Sequence, residues 1–196
     1  MLTKVFAVVL LAAGASSAEV LSFGMKTGIP VNSLLTSTGP RFQVRTHRYT
    51  LGPTFELNLP HGLAFEVDLL YKRMEYSYFR PDSSTSQSAS NNVKATRWEL
   101  PLLLKYKIGG QHFQPFLDLG GSLNRVVHIE GMNIAELRHR HTRGVVIGAG
   151  LERRFGPFRL TPEVRFTRWA DRNFGVHDAP LRSNLTQAEF LMGFEF

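Results

Sequence analysis

Cysteine is absent from all 196 residues. Its absence excludes a disulfide framework, a thiol enzyme and a thiolate metal site, and with them a lipid-bearing lipoprotein cysteine. Long apolar runs are missing too: beyond Ala13 no stretch approaches the roughly 20 residues that a membrane helix needs. Acidic residues are the scarcer charge, 16 against 23 basic ones, for a formal net charge of +7. Such a balance often signals nucleic acid, but the N-terminal residues argue for export. Met1, Leu2, Thr3 and Lys4 precede an apolar run from Val5 to Ala13, then the small residues 14–18 and Glu19. This is the pattern of a secretory signal peptide over residues 1–18, cleaved after Ala18 and too short to stay as an anchor. Residues 19–196 are then one exported domain, and acidic lipid headgroups are a better partner for its charge than nucleic acid.

What the chain does have is alternation. In residues 97–108, Trp98, Leu100, Leu102, Leu104, Tyr106 and Ile108 are apolar or aromatic, while Arg97, Glu99, Lys105 and Lys107 fall between them. Successive side chains of a strand point to opposite faces, so this is one greasy face and one charged face. Trp98 and Tyr106 mark its ends, where a membrane strand meets the two interfaces. The same period of two recurs along the chain. Leu21, Phe23 and Met25 alternate with Ser22, Gly24 and Lys26; Tyr49, Leu51, Phe55 and Leu57 with Thr50, Thr54, Glu56 and Asn58. Further sets follow in Leu63, Phe65 and Val67, in Leu117, Leu119 and Leu123, in Val145 and Ile147, in Leu160, Val164 and Phe166, and in Phe190, Met192 and Phe194. A mean hydropathy close to neutral suits a barrel with two unlike faces.

Connections alternate in length. Short turns are expected at Pro60-His61-Gly62, Gly109-Gly110-Gln111 and Gly156-Pro157. Long polar loops are expected near residues 27–43, 80–92, 128–141 and 171–183, with extension of the hairpin as the alternative for the third. The fold class is therefore all-β: a closed antiparallel up-and-down transmembrane barrel of about eight strands, with short periplasmic turns and long outer loops. Closure removes every sheet edge, as a lipid environment demands.

The chain resembles the small eight-stranded outer-membrane barrels of the OmpA-like and PorT-like group. The resemblance is carried by Glu99-Leu100-Pro101-Leu102-Leu103-Leu104-Lys105-Tyr106, by residues 115–121 (Pro-Phe-Leu-Asp-Leu-Gly-Gly) and by Phe196. It implies a bacterial outer-membrane location and a role for Phe196 as the signal read by the barrel-assembly machinery. It identifies an architecture, without an activity.

An eight-stranded barrel is only wide enough for side chains to fill it. The inward faces are expected to hold Glu56, Glu66, Asp68, Glu99, Asp118, Glu152, Glu163 and Glu189 with Lys72, Arg97, Lys105, Lys107, Arg154, Arg159 and Arg165. Acids and bases roughly balance, so a paired network that plugs the lumen is the expectation. Acid/base catalysis by Glu99, Glu152 and Glu163 is the competing reading. At the outer strand ends Arg45, Arg48, Arg73, Arg125, Arg140, Arg143, Arg168 and Arg172, with Lys72, Lys94 and Arg97, form a basic rim at the height of lipopolysaccharide phosphates. The alternative is a solvated rim that pairs partly with the lumen.

His128, His139 and His141 with Glu130 and Glu136 share one predicted loop, but Arg138, Arg140 and Arg143 beside them oppose a metal cation. A lipid A deacylase would need a His-x-Ser arrangement, and His128-Ile129-Glu130 departs from it. Gly148-Ala149-Gly150 is too short for a dinucleotide loop, and Asn184-Leu185-Thr186 is a chance glycosylation match in a bacterial setting. The expectation is a monomeric, non-enzymatic barrel with no cofactor, metal or catalytic residue. It would serve envelope integrity or surface interaction, with outer-membrane lipids and the assembly machinery as partners. A narrow porin-like pore, a lipid A-modifying enzyme and a soluble periplasmic barrel of lipocalin type, with an apolar interior, are the alternatives.

Overall fold

The computed structural model describes residues 20–32, 35–37, 49–80, 89–110, 113–130, 139–173 and 181–196. The expected signal peptide, and residues 81–88, 131–138 and 174–180 of the expected long loops, lie outside the described residues. The elements in chain order are β1 (Leu21–Pro30), β2 (Leu35–Ser37), β3 (Tyr49–Asn58), β4 (Leu63–Asp68), β5 (Leu70–Arg80), β6 (Ala89–Lys107), β7 (Phe113–Glu130), β8 (His141–Phe155), β9 (Phe158–Trp169), β10 (Leu181–Ser183) and β11 (Thr186–Glu195). One 3-10 turn, Pro60–Gly62, separates β3 from β4.

Each strand of the main sheet pairs antiparallel with its neighbours, and β1 pairs with both β3 and β11, so the sheet closes on itself. Strands β4 and β5 are two halves of one stave, giving eight staves in all. The interruption falls at Leu69, whose N–H still donates to Pro53 O at 3.0 Å. Gly52 permits a close approach there: a Cβ would stand 1.9 Å from the Leu69 carbonyl oxygen, so the two backbones meet where no side chain fits. The short turns at 60–62 and 156–157 stand where sequence reasoning places them, with His61, Gly62 and Gly156 at positive φ, as is Gly110; Gln111 of the remaining expected turn lies outside the described residues.

The described edges of two expected loops, residues 89–92 and 128–130, are strand. Sheet β5–β6 pairs as far as Arg80↔Ala89, and β7 runs to Glu130 with Thr96 opposite His128. Above the membrane both faces of a hairpin meet water, so the apolar alternation that marks a strand disappears while the backbone ladder continues. The first and fourth long loops are also tied together, by β2 pairing with β10.

Burial follows the alternation with its usual sense reversed. Phe55, Leu119, Ile147 and Phe194 are 51%, 59%, 57% and 51% exposed, whereas Lys26, Glu66 and Lys105 are 0% exposed. A lipocalin-type barrel would show the opposite. Aromatic contacts band the exterior at both ends. Tyr49, Tyr71 and Trp98 form a ladder with centroid spacings of 6.3 and 5.4 Å, and Phe196 packs against Phe23 and Phe158 at 5.6 and 5.3 Å. Trp98 and Tyr106 are about 26 Å apart along β6 at 3.3 Å per residue, or about 20 Å of depth at a tilt of about 40°, so both lie near the edges of an apolar belt of about 25 Å.

The close approach at Gly52 yields a test. Gly52→Val is expected to abolish the fast-running unheated form on a denaturing gel, while Gly109→Val, where a Cβ meets nothing within 4 Å, keeps it. A normal heat-dependent shift in Gly52→Val would contradict the close approach.

Candidate functional site

Inward residues of eight staves converge on a narrow lumen, and there they meet as ions. Nine acids and seven bases are buried among the described residues. Their pairs form three tiers. Nearest the short turns, Glu56 Oε1 accepts from Lys107 Nζ at 2.6 Å and Arg159 Nη1 at 3.1 Å, and its Oε2 from Lys105 Nζ at 2.8 Å. Glu152 pairs with Lys107 at 2.7 Å and Arg159 at 3.3 Å, and Glu195 with Arg159 at 3.1 Å.

In the middle tier Glu66 is shared by Lys26, Lys105 and Arg165, the last at 3.1 Å. Arg165 also reaches Asp68 at 2.8 Å and Glu163 at 2.5 Å, and Lys26 reaches Glu163 at 3.0 Å. Lys105 links this tier to the one below and lies 4.4 Å from the Phe116 ring centre. The outer tier pairs Lys72 with Glu99 at 2.8 Å and with Glu189, and Arg97 with Glu99 at 3.3 Å and Gln187 at 2.9 Å. Arg97 lies 5.4 Å from the Trp169 ring centre. Above it, buried Asn173 bonds Asn124 at 3.2 Å and the His139 carbonyl at 3.0 Å, which draws the start of the last long loop into the mouth.

Partners lie far apart in sequence, as with Lys26 and Glu163, and they meet because each stave faces the others across a width of two or three side chains. Burial strengthens these pairs and makes each costly to break. Lys26 and Glu195, outside the expected network, belong to it; both fall on inward positions of the alternation. Two expectations need correction. Arg154 bonds Glu152 at 3.4 Å but is 45% exposed, because it sits beside the Gly156 turn and its guanidinium leaves the mouth. Asp118 is buried, yet neither carboxylate oxygen has a hydrogen-bond partner among the described residues. Lys105 directly across on β6 is held by Glu56 and Glu66, and Gly148 on the other side has no side chain to offer.

The rim residues divide. Arg125, Arg140, Arg143 and Arg168 are exposed, Arg73 and Arg172 are half-buried, and Arg45 and Arg48 lie outside the described residues. Lys72 and Arg97 do not belong to the rim, since they point inward to Glu99. Arg168 Nη1 donates to Thr186 Oγ1 at 2.7 Å. Of the histidine cluster, His128 and Glu130 lie in β7, His139 and His141 precede and open β8, and Glu136 and Arg138 lie outside the described residues. The competing catalytic carboxylates, Glu99, Glu152 and Glu163, are each held by two or more cations.

A closed antiparallel barrel, ionic inside and apolar outside, is a transmembrane barrel of the bacterial outer membrane. The sequence profile of the outer membrane protein beta-barrel domain family matches residues 15–168, and the chain belongs to that family. Its fold is similar to that of the outer membrane protein OprG from Pseudomonas aeruginosa, at 14% identity over 90% of this chain and 93% of that one, with a TM-score of 0.58. It is also similar to neisserial surface protein A (NspA), at 16% identity over 89% and 94%, with a TM-score of 0.53. Likeness at these identities concerns the fold alone. No curated protein matches the chain.

Glu66 holds three cations, so Glu66→Met is expected to destabilise the barrel by about 3–5 kcal/mol in urea unfolding from detergent micelles. Adding Lys105→Met should cost less than the sum of the two single changes. Additive effects would mean that the pair is not coupled.

Proposed function

We propose that this protein is a non-enzymatic, monomeric barrel whose lumen is sealed, and that it contributes to envelope integrity or surface interaction from its outer end. The observation that carries this reading is the three-tier ionic plug, in which Lys105 bridges two tiers and Asn173 covers the third. Solute passage would require several buried pairs to break together, each loss leaving an uncompensated charge. Pairing of Glu99, Glu152 and Glu163 with cations favours a structural role for them over proton transfer. The basic rim is assigned to lipopolysaccharide phosphates, which Arg can contact bidentately. Phe196, which bonds Phe23 through both backbone groups at the seam, is assigned to recognition by the barrel-assembly machinery.

Purified protein in planar bilayers is expected to give no stepwise conductance. Regular single-channel steps from the wild-type protein would overturn the sealed lumen and favour a narrow pore.

A further inference from the structure

Two depressions lie on the lipid-facing wall, an outer one on β8 and β9 and an inner one that extends from β8 and β9 across β7 to β6. The outer one, with a volume of about 490 Å³, is lined by Arg143, Val145, Arg168, Ala170 and Leu185, with no carboxylate among its lining residues. Arg143 and Arg168 are diagonal neighbours on this wall. The Ala170 N–H donates to the Arg143 carbonyl at 2.8 Å, and Val145 stands opposite Arg168. Diagonal positions in an antiparallel pair are about 7–8 Å apart, so two long guanidinium side chains can bracket one phosphate. Thr186 on β11 fixes Arg168 from the other side.

The inner depression has a volume of about 520 Å³ and a mainly apolar lining that includes Leu104, Leu117, Ile147, Ala149, Val164 and Phe166, with Asp118 also reaching it. On β8 it exists because the outward residue Ala149 is small beside Ile147. Val145 and Ile147 are successive outward residues of β8 and connect the two hollows. From Arg143 to Ala149 is about 20 Å along the strand at 3.3 Å per residue. At a tilt of about 40° this is about 15 Å of depth, half of a hydrocarbon core of about 30 Å. A cationic clamp at headgroup height on β8 and β9 thus stands above a mainly apolar notch that those strands share with β6 and β7. At the same height, β3, β5 and β6 carry the Tyr49–Tyr71–Trp98 ladder instead, so the clamp is not a uniform property of the girdle.

We propose that the outer wall of β8 and β9 binds one phosphorylated, multiply acylated glycolipid of the outer leaflet. Its phosphate sits between Arg143 and Arg168, and one acyl chain runs past Val145 and Ile147 into the notch at Ala149. A phosphomonoester offers three terminal oxygens and nearly two charges, which suits two guanidinium groups better than the single charge of a phospholipid diester. The inference rests on the reading of the rim given above and narrows it to one subsite.

The test is native mass spectrometry of protein extracted from outer membranes in mild detergent, with folding checked by heat-dependent gel mobility. Wild-type protein is expected to carry lipid A. The R143Q/R168Q variant should carry about tenfold less or lower, given the loss of charge-assisted contacts. Ala149→Trp, which fills the notch, should also reduce it, and R153Q, at an exposed position near the opposite end of β8, should leave it unchanged. Lipid A retained by R143Q/R168Q would keep the rim reading and overturn this subsite. Absence of lipid A from the wild type, or an equal load of phospholipid, would overturn both. The sealed lumen is judged separately by conductance, because these variants touch no lumen pair.

Discussion

In hydrocarbon an unpaired backbone amide or carbonyl costs several kcal/mol, so a membrane strand is only as stable as the strand beside it. The seam between β1 and β11 is where this constraint is met last. Its register runs from Gly24↔Glu195 to Pro30↔Glu189, and Phe196 and Phe23 extend it by exchanging backbone hydrogen bonds at 2.9 and 3.4 Å. With that ladder in place the sheet has no edge facing lipid. Everything else in the structure presupposes it, because the two faces acquire fixed environments only when the sheet is closed.

Closure at eight staves fixes the width, and width decides the chemistry of the interior. A lumen this narrow is filled by the side chains of its own wall. Lys26, Glu66 and Lys105 could not be left charged there singly, but shared between tiers they compensate one another. The arrangement is not fully balanced: Asp118 lies among these charges without a partner among the described residues. Its neighbours across both ladders, Lys105 and Gly148, explain why, one being engaged elsewhere and the other bare.

Much of this was legible before any coordinates. The period of two in residues 97–108 assigns Trp98, Leu102 and Leu104 to lipid and Glu99, Lys105 and Lys107 to the lumen, and the structure agrees residue by residue. Three things were not legible. Strand pairing above the membrane, as at Arg80↔Ala89, carries no apolar alternation to read. Individual ion pairs depend on which staves face each other across the lumen, so Lys26 with Glu163 could not be paired from sequence separation. Dual assignment misled as well: Lys72 and Arg97 fit both rim and lumen by height along the strand, and only their inward parity separates them from Arg73.

The central claim is a sealed barrel with lipid outside and ions inside. Since the chain has no cysteine, single cysteines can be placed along residues 97–108 and spin-labelled in the reconstituted protein. Collision rates with oxygen, which partitions into lipid, and with a water-soluble nickel chelate would then be measured at each position. The account predicts high oxygen access at Leu102 and Leu104 and little access of either reagent at Leu103 and Lys105. Strong chelate access at the odd positions would reveal an aqueous channel, and strong chelate access at the even ones would place the protein outside the membrane.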